Sequence, residues 1–132
     1  MRCVWCSVCL FCLLIAVAEA ADDWEEKSPA TAPSARAYAG MAYIGDDHAL
    51  LFGGYDTAND DETWLYDVSE STWTQKFPAS HPTARREHGM AYIGDDKVLL
   101  FGGDLEGLLD NTTWVYDLSD NTWTNKAPAV SP

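Results

Sequence analysis

One unit of roughly 50 residues occurs twice in this chain, and that repeat limits the possible folds more than any other feature. Residues 33–54 (PSARAYAGMAYIGDDHALLFGG) and 82–103 (PTARREHGMAYIGDDKVLLFGG) are identical at 16 of 22 positions, at an offset of 49. Residues 63–78 and 113–128 then agree at 10 of 16 positions, at an offset of 50. Because insertions are tolerated in loops, the added residue predicts a loop between the diglycine and the following tryptophan.

Each unit predicts four short β-strands and no helix. Apolar or aromatic runs at residues 41–44, 49–52, 63–66 and 72–75 are separated by turn-forming residues such as Gly45-Asp46-Asp47. No stretch keeps the 3.6-residue periodicity that an amphipathic helix requires. Four short strands per repeat of this length is the size of one blade of a β-propeller, so the sequence predicts an all-β protein.

The recurring residues resemble a kelch repeat, and the resemblance covers residues 21–132, with repeat 1 at about 33–81 and repeat 2 at about 82–132. They are an arginine, a diglycine, two tryptophans and a Tyr-Asp pair, namely Arg36, Gly53, Gly54, Trp64, Tyr66, Asp67 and Trp73, then Arg85, Gly102, Gly103, Trp114, Tyr116, Asp117 and Trp123. The resemblance implies a kelch-type β-propeller segment of two four-stranded antiparallel blades. A partial copy around Trp24 predicts one further outer strand. We assign the glycines and the large aromatic residues to structure, since such side chains fill the space between twisted sheets.

Two blades form an incomplete propeller, because each end blade leaves one face uncovered and rings typically close with four to eight blades. Two explanations follow. The chain is part of a longer propeller, which the surplus strand around Trp24 favours, or several chains associate to complete a ring.

The first 20 residues predict a cleaved secretory signal peptide. A short basic start is followed by an apolar run, and Ala18-Glu19-Ala20 fits the small-x-small cleavage pattern. We therefore expect a secreted protein that is not attached to a membrane after cleavage. The alternative is an uncleaved anchor with palmitoylated cysteines, since all four cysteines lie in this segment. Asn111-Thr112-Thr113 is a candidate N-glycosylation site at Asn111.

Composition and motifs exclude several function classes. A formal net charge of −13 argues against a nucleic-acid partner and against anionic membrane surfaces. No metal, cofactor or catalytic motif is present, and the acidic loop at residues 56–62 lacks the spacing of an EF-hand, so we expect no cofactor, no metal site and no enzyme activity. Galactose oxidase is a secreted enzyme with a kelch-like propeller, but its cross-linked cysteine has no counterpart after residue 12.

The resemblance places partner binding on the loops that enter the first strand and follow the diglycine. Those loops supply the candidate binding residues Arg36, Tyr38, Tyr55, Asp56, Arg85, Arg86, His88 and Asp104. Residues 37–39 (AYA) and 86–88 (REH) differ at all three positions within an otherwise repeated framework, as a binding surface would, although exposed loops also drift. The recurrence of Arg36 and Arg85 equally suits a structural hydrogen-bonding role.

Three functions remain open. The first is a secreted, non-catalytic module that binds a protein or a glycan. The second is the N-terminal part of a larger secreted propeller enzyme, a galactose-oxidase-like oxidase or a hydrolase, whose catalytic residues lie outside this chain. The third is a structural repeat that self-associates, and its assembly would strengthen at high salt because salt screens the repulsion between acidic chains.

Overall fold

A computed structural model describes residues 24–130 and 132, so the signal peptide predicted for residues 1–20 lies outside the described residues. The described chain is all-β, without a helix, and forms two four-stranded antiparallel sheets in the order β1-β2-β3-β4 and β5-β6-β7-β8. The strands are β1 (Gly40–Gly45), β2 (His48–Phe52), β3 (Thr63–Asp67), β4 (Thr72–Lys76), β5 (Gly89–Gly94), β6 (Lys97–Asp104), β7 (Leu109–Asp117) and β8 (Thr122–Asn125). The predicted all-β fold with two four-stranded blades is confirmed. We call the sheets blade 1 and blade 2.

The first hairpin of each blade turns on two aspartates. Asp46 and Asp47 both have positive φ, at 42° and 58°, as do Asp95 and Asp96 at the same place in blade 2. A two-residue turn with both φ positive matches the twist of the strands it joins, and Asp tolerates that conformation better than most residues. The repeated Gly-Asp-Asp therefore fixes the register of β1 on β2 and of β5 on β6.

Strand pairing sorts the side chains of blade 1 onto two faces. Directly paired residues point to the same side of a sheet, so Phe52 lies with Thr63 and Leu50 with Leu65. We call this side, which packs against blade 2, the forward face. Its buried members are Ile44, Leu50, Phe52, Thr63 and Leu65.

The side of blade 2 that meets blade 1 is its backward face. It contributes Val98, Leu100, Tyr116 and Trp123 to the core that it shares with the forward face of blade 1. The rings of Phe52 and Trp123 meet at 5.1 Å, and the Trp123 indole N–H donates to Thr63 Oγ1 at 3.0 Å in a buried bond. The hydrophobic core of the described residues therefore lies between the blades.

Backbone hydrogen bonds also cross the boundary between the blades. Gly54 N donates to Arg85 O at 2.9 Å, and Arg85 N donates to Asp60 O at 3.0 Å. Gly53 has φ of 63°, and a Cβ there would lie 2.5 Å from the Arg85 carbonyl oxygen. The diglycine is thus required both for its backbone conformation and for the close approach of the next blade.

Two features differ from the sequence-based expectation. In blade 2 the second strand runs through the diglycine, because Gly103 pairs with Asp110 and Asp104 with Leu109. In blade 1 the equivalent pairing remains only as an isolated bridge between Tyr55 and Asn59, with Asp60 N donating to Gly54 O at 2.9 Å, and Gly54 N also donates to Arg85 O of the next blade. The outer strand expected around Trp24 is not formed: residues 24–29 belong to neither sheet and Trp24 is fully exposed. An outer strand needs the third strand of its own blade as a ladder partner, and the described residues supply none.

Candidate functional site: the loop surface at the blade boundary

The loops expected to bind a partner come together where the two blades meet. Ala37 pairs with Tyr55 in blade 1, and Arg86 pairs with Asp104 in blade 2, each as an isolated antiparallel bridge. Glu87 N donates to Tyr38 O at 3.0 Å, which joins the two loops across the boundary. We call the area formed by Tyr38, Tyr55, Asp56, Arg86 and Asp104 the loop surface.

The Arg86 side chain contacts residues of both blades. Its guanidinium carbon lies 5.1 Å from the centroid of the Tyr55 ring, and its Nε and Nη2 donate to Asp104 Oδ2 at 3.1 and 2.7 Å. The hydrogen bond from Arg86, with the N–H of Gly107, holds the pKa of Asp104 below its ordinary value. Asn59 Nδ2 also reaches the Asp104 carbonyl oxygen, at 2.9 Å. A planar cation stacked on an aromatic ring and paired with a carboxylate is a pre-organised group.

The exposed part of the loop surface is aromatic and acidic. Tyr38 is 59 % exposed and Tyr55 is 36 % exposed. Tyr38 and Glu87 occupy equivalent positions with φ of 58° and 57°, so both loops take the same left-handed turn with different side chains. The Asp56 carboxylate accepts hydrogen bonds from the Thr57 N–H and from Ser34 Oγ, at 3.0 Å for the latter, which lower its pKa to about 2. Asp56 is therefore a charged residue that also orders its own loop.

Arg85 lies beneath the loop surface and is 1 % exposed. Its Nη1 donates to the Gly102 carbonyl oxygen at 2.8 Å and pairs with Asp110 Oδ2 at 2.7 Å, while Nε donates to Thr83 O at 2.9 Å. Burial raises the pKa of Asp110, but the hydrogen bond from Thr112 and the charge of Arg85 outweigh it and the pKa is lowered. The arginine joins the loop before β5 to the diglycine and to the start of β7.

Arg36 does the same in blade 1. Its Nη1 donates to the Gly53 carbonyl oxygen at 3.1 Å and lies 3.0 Å from Asp60 Oδ2, and its Nη2 donates to Glu62 Oε2 at 2.6 Å. Burial raises the pKa of Glu62, yet hydrogen bonds from the Trp64 indole and from Arg36 bring the net pKa below its ordinary value. Both repeated arginines are turned inward and support the loops.

His88 is also beneath the surface, between the blades. It is 8 % exposed, and its ring meets the Phe52 ring edge-on at 5.7 Å. Neither ring nitrogen has a hydrogen-bond partner of good geometry, although the Phe52 carbonyl acts to raise the pKa of the ring. Desolvation, with the neighbouring Arg85 charge, prevails and lowers the pKa of His88 to about 4, so the ring is neutral at pH 7.

The repeated aromatic residues pack or form hydrogen bonds within and between the blades. Tyr116 and Trp123 are buried in the core, whereas their counterparts Tyr66 and Trp73 pack together at 4.9 Å on the backward face of blade 1 and are only partly buried. The indole of Trp64 donates to Glu62 Oε2 at 2.8 Å, and that of Trp114 to Thr112 Oγ1 at 3.1 Å.

Sequence reasoning did not identify the acidic partners of the two arginines. Asp60 and Asp110 recur at the offset of 50, in the same repeats as Arg36 and Arg85, and that recurrence was the signal that could have found them. Asn111, the candidate glycosylation residue, is exposed near the start of β7.

The described residues contain neither a metal-binding cluster nor a membrane-spanning helix. No group of three or more His, Cys, Asp or Glu side chains in residues 24–130 is arranged to hold a metal ion. Within the same part of the chain there is no helix of the length and hydropathy needed to cross a bilayer.

Tandem antiparallel four-stranded sheets, packed face to face and joined in chain order, define a repeat protein of the β-propeller class. The family model for the KLHDC2/KLHL20/DRC7 Kelch-repeats domain matches residues 11–131, so the chain belongs to the kelch-repeat family, and the resemblance seen in the sequence is confirmed. No curated protein matches the chain. Kelch-repeat domains generally mediate protein–protein interactions.

Proposed function

We propose that this chain is a secreted, non-catalytic module that binds another protein through its loop surface. The observation that carries the proposal is the junction of loops from both blades, with exposed Tyr38 and Tyr55 beside the stacked and ion-paired Arg86. Tyrosine and arginine are the residue types, with tryptophan, that most often dominate binding energy at protein interfaces. The buried Arg85 and the inward Arg36 limit how far the loops move, which reduces the entropy lost on binding.

The binding experiment compares two alanine variants of the full chain used as bait for proteins of the secreted fraction. Tyr38→Ala combined with Tyr55→Ala removes the aromatic groups of the loop surface. Phe77→Ala is the matched control, because Phe77 is 77 % exposed and its equivalent in repeat 2 is already alanine, Ala127. We expect a partner captured by the wild type and by Phe77→Ala but not by the double variant. No enriched protein, or one retained equally by the double variant, would contradict the proposal.

Secretion has its own test. We expect the full chain, expressed in eukaryotic cells, to appear in the medium with Ala21 as its first residue, as the small-x-small pattern before it requires. N-terminal sequencing of the secreted protein checks this. Digestion with an endoglycosidase should lower the mass of the wild type and not of Asn111→Gln. A chain that stays in the cell with an intact N-terminus would overturn the assignment to the secretory pathway.

A further inference from the structure

We propose that a second copy of this chain docks head to tail on the first, with the backward face of its blade 1 against the forward face of blade 2. Each copy then carries both halves of the contact. The interface already present between blade 1 and blade 2 is the template, since it joins the same two faces in the same order.

The two faces left uncovered by residues 24–130 repeat the two faces that are covered. On the forward face of blade 2, Ile93, Leu99, Phe101, Thr113 and Val115 stand where Ile44, Leu50, Phe52, Thr63 and Leu65 stand in blade 1. On the backward face of blade 1, the residues equivalent to Met90, Leu100, Tyr116 and Trp123 are Met41, Leu51, Tyr66 and Trp73. Met41 and Ile93 are each 51 % exposed. Trp64, on the same face as Met41, and Val115, on the same face as Ile93, are buried, so each face is accessible in part.

A hydrogen bond between the blades also has an equivalent on the two uncovered faces. Inside the chain, Trp123 donates its indole N–H to Thr63 Oγ1 in a buried bond. The equivalent residues on the uncovered faces are Trp73 and Thr113. In the described part of the chain the Trp73 indole N–H has no hydrogen-bond acceptor. Docking a second copy in the template geometry brings Trp73 of one copy to Thr113 of the other.

The surface beside the second diglycine is open at the place where a neighbouring blade would lie. A pocket of about 300 Å³ there is lined by Gly89, Phe101, Gly102, Gly103 and Asp110, among others. In blade 1 the corresponding space is filled by blade 2: a Cβ on Gly40 would meet His88 at 2.3 Å, whereas one on Gly89 meets nothing closer than 3.9 Å. In the proposed contact, the loop of the second copy that contains Arg36 fills this pocket. It is equivalent to the loop of blade 2 that contains Arg85, and Ala39 takes the place of His88.

The contact is heterologous, because the forward face of one chain meets a different face of the next. Such contacts form closed rings when the rotation closes. Propellers have typically four to eight blades, so a ring needs more blades than the two described in one copy. The rings present the loop surface once per chain.

The first measurement is the mass of the full chain from a secretory eukaryotic host, by light scattering over a range of concentrations. We expect one species whose mass is a small integer multiple of the chain, with a melting temperature that rises with concentration. A monomer at all concentrations, or aggregates without a defined mass, would overturn the proposal and indicate that another polypeptide segment or no segment covers these faces.

Two charge variants test the head-to-tail geometry. Met41→Glu blocks the backward face of blade 1, and Ile93→Glu blocks the forward face of blade 2; both side chains are half-exposed, so the single chain tolerates the change. Each variant alone should be monomeric with an unchanged circular dichroism spectrum. Their equimolar mixture should form a 1:1 dimer through the two faces left intact. A mixture that stays monomeric, or either variant forming the wild-type assembly, contradicts the proposed contact.

A conservative pair of substitutions decides the matter if the glutamate variants misfold. Trp73→Phe should raise the dissociation constant of the assembly at least tenfold and leave the melting temperature of dilute monomer unchanged. The matched control, Trp123→Phe, breaks the equivalent bond inside the chain and should lower the melting temperature at every concentration. Equal effects of the two variants on assembly would overturn the proposal. Neither residue belongs to the loop surface, so this outcome is independent of partner binding.

Discussion

Strands β1 and β5 have the same six residues, GMAYIG, and very different surroundings. Ile44 in β1 is fully buried, while Ile93 in β5 is 51 % exposed; Gly40 is buried and Gly89 is exposed. The two strands have the same register with their neighbours. The difference therefore comes from what packs against each forward face: blade 2 covers β1, and no described residue covers the same side of β5. In a repeat fold the burial of a residue depends on the next repeat as much as on its own.

The largest expected effect is on the forward-face phenylalanines. Phe52→Ala should reduce the free energy of unfolding by about 3–5 kcal/mol, because it leaves a cavity among Trp123, His88 and the blade 2 strands. Phe101→Ala, at the equivalent and partly exposed position, should cost about 1 kcal/mol or less. Urea titration of both in the Met41→Glu background, which removes any contribution from association, checks the difference. Equal costs would show that the forward face of blade 2 is covered within the single chain.

The second effect concerns the repeated arginines. Arg85→Ala should cost about 3 kcal/mol, because it leaves the Asp110 carboxylate and the Gly102 carbonyl without their partner at a nearly buried site. Arg36→Ala should cost less, since its partner Glu62 is 33 % exposed and water can replace the guanidinium. Thermal unfolding of the two variants at pH 7 gives the order. A larger loss for Arg36→Ala would mean that blade 1 depends on its loop more than the burial indicates.

The repeat, the strand order and most strand ends could be predicted from the sequence, because they depend on local signals that both repeats carry, such as the Gly-Asp-Asp turn and the diglycine. The burial of individual loop residues could not be predicted from the sequence. Arg85 recurs in both repeats and His88 does not, and both lie in a loop. Both are nearly buried because the loop of blade 2 packs onto Phe52 and Gly53 of blade 1. The extension of β6 through Gly102 and Gly103 was not predicted either, because a diglycine is typical of a strand end, whereas the structure pairs Gly103 with Asp110.

His88 makes the blade boundary sensitive to acid. Its pKa is about 4 in the folded chain and near 6.5 when unfolded, so the unfolded state binds the proton first. Stability is therefore unaffected above pH 6.5 and falls as the pH drops from about 6.5 to about 4, by at most about 3 kcal/mol. Other groups named above that lose stability in acid are carboxylates with lowered pKa, and their effect begins only near their unfolded pKa of 3.8 or 4.5, at the acid end of this window.

Blade 1 has alanine, Ala39, at the position equivalent to His88, and this residue provides the variant that tests the pH dependence. His88→Ala copies Ala39 and should remove most of the difference in unfolding free energy between pH 7 and pH 4.8, although its stability at pH 7 also changes through lost packing. Chemical denaturation at the two pH values measures the difference directly. An unchanged pH dependence in His88→Ala would assign the acid sensitivity to other groups.

The smallest expected effect lies at the turn between the third and fourth strands, where the two blades differ by one side chain. Asn121, with φ of 51°, accepts a hydrogen bond from Tyr116 Oη at 2.8 Å; Ser71 stands at the equivalent position with φ of 54°. Burial raises the pKa of Tyr116 to about 12, and its hydroxyl has little access to water, so Asn121→Ser should cost about 1 kcal/mol. The reciprocal Ser71→Asn should change stability by less than about 0.5 kcal/mol, because Tyr66 is less deeply buried than Tyr116 and its hydroxyl depends less on a protein partner. Urea titration of the two variants measures both changes in the free energy of unfolding. If Ser71→Asn stabilises the chain by as much as Asn121→Ser destabilises it, the Tyr66 hydroxyl is as poorly solvated as the Tyr116 hydroxyl. The backward face of blade 1 would then be covered in solution.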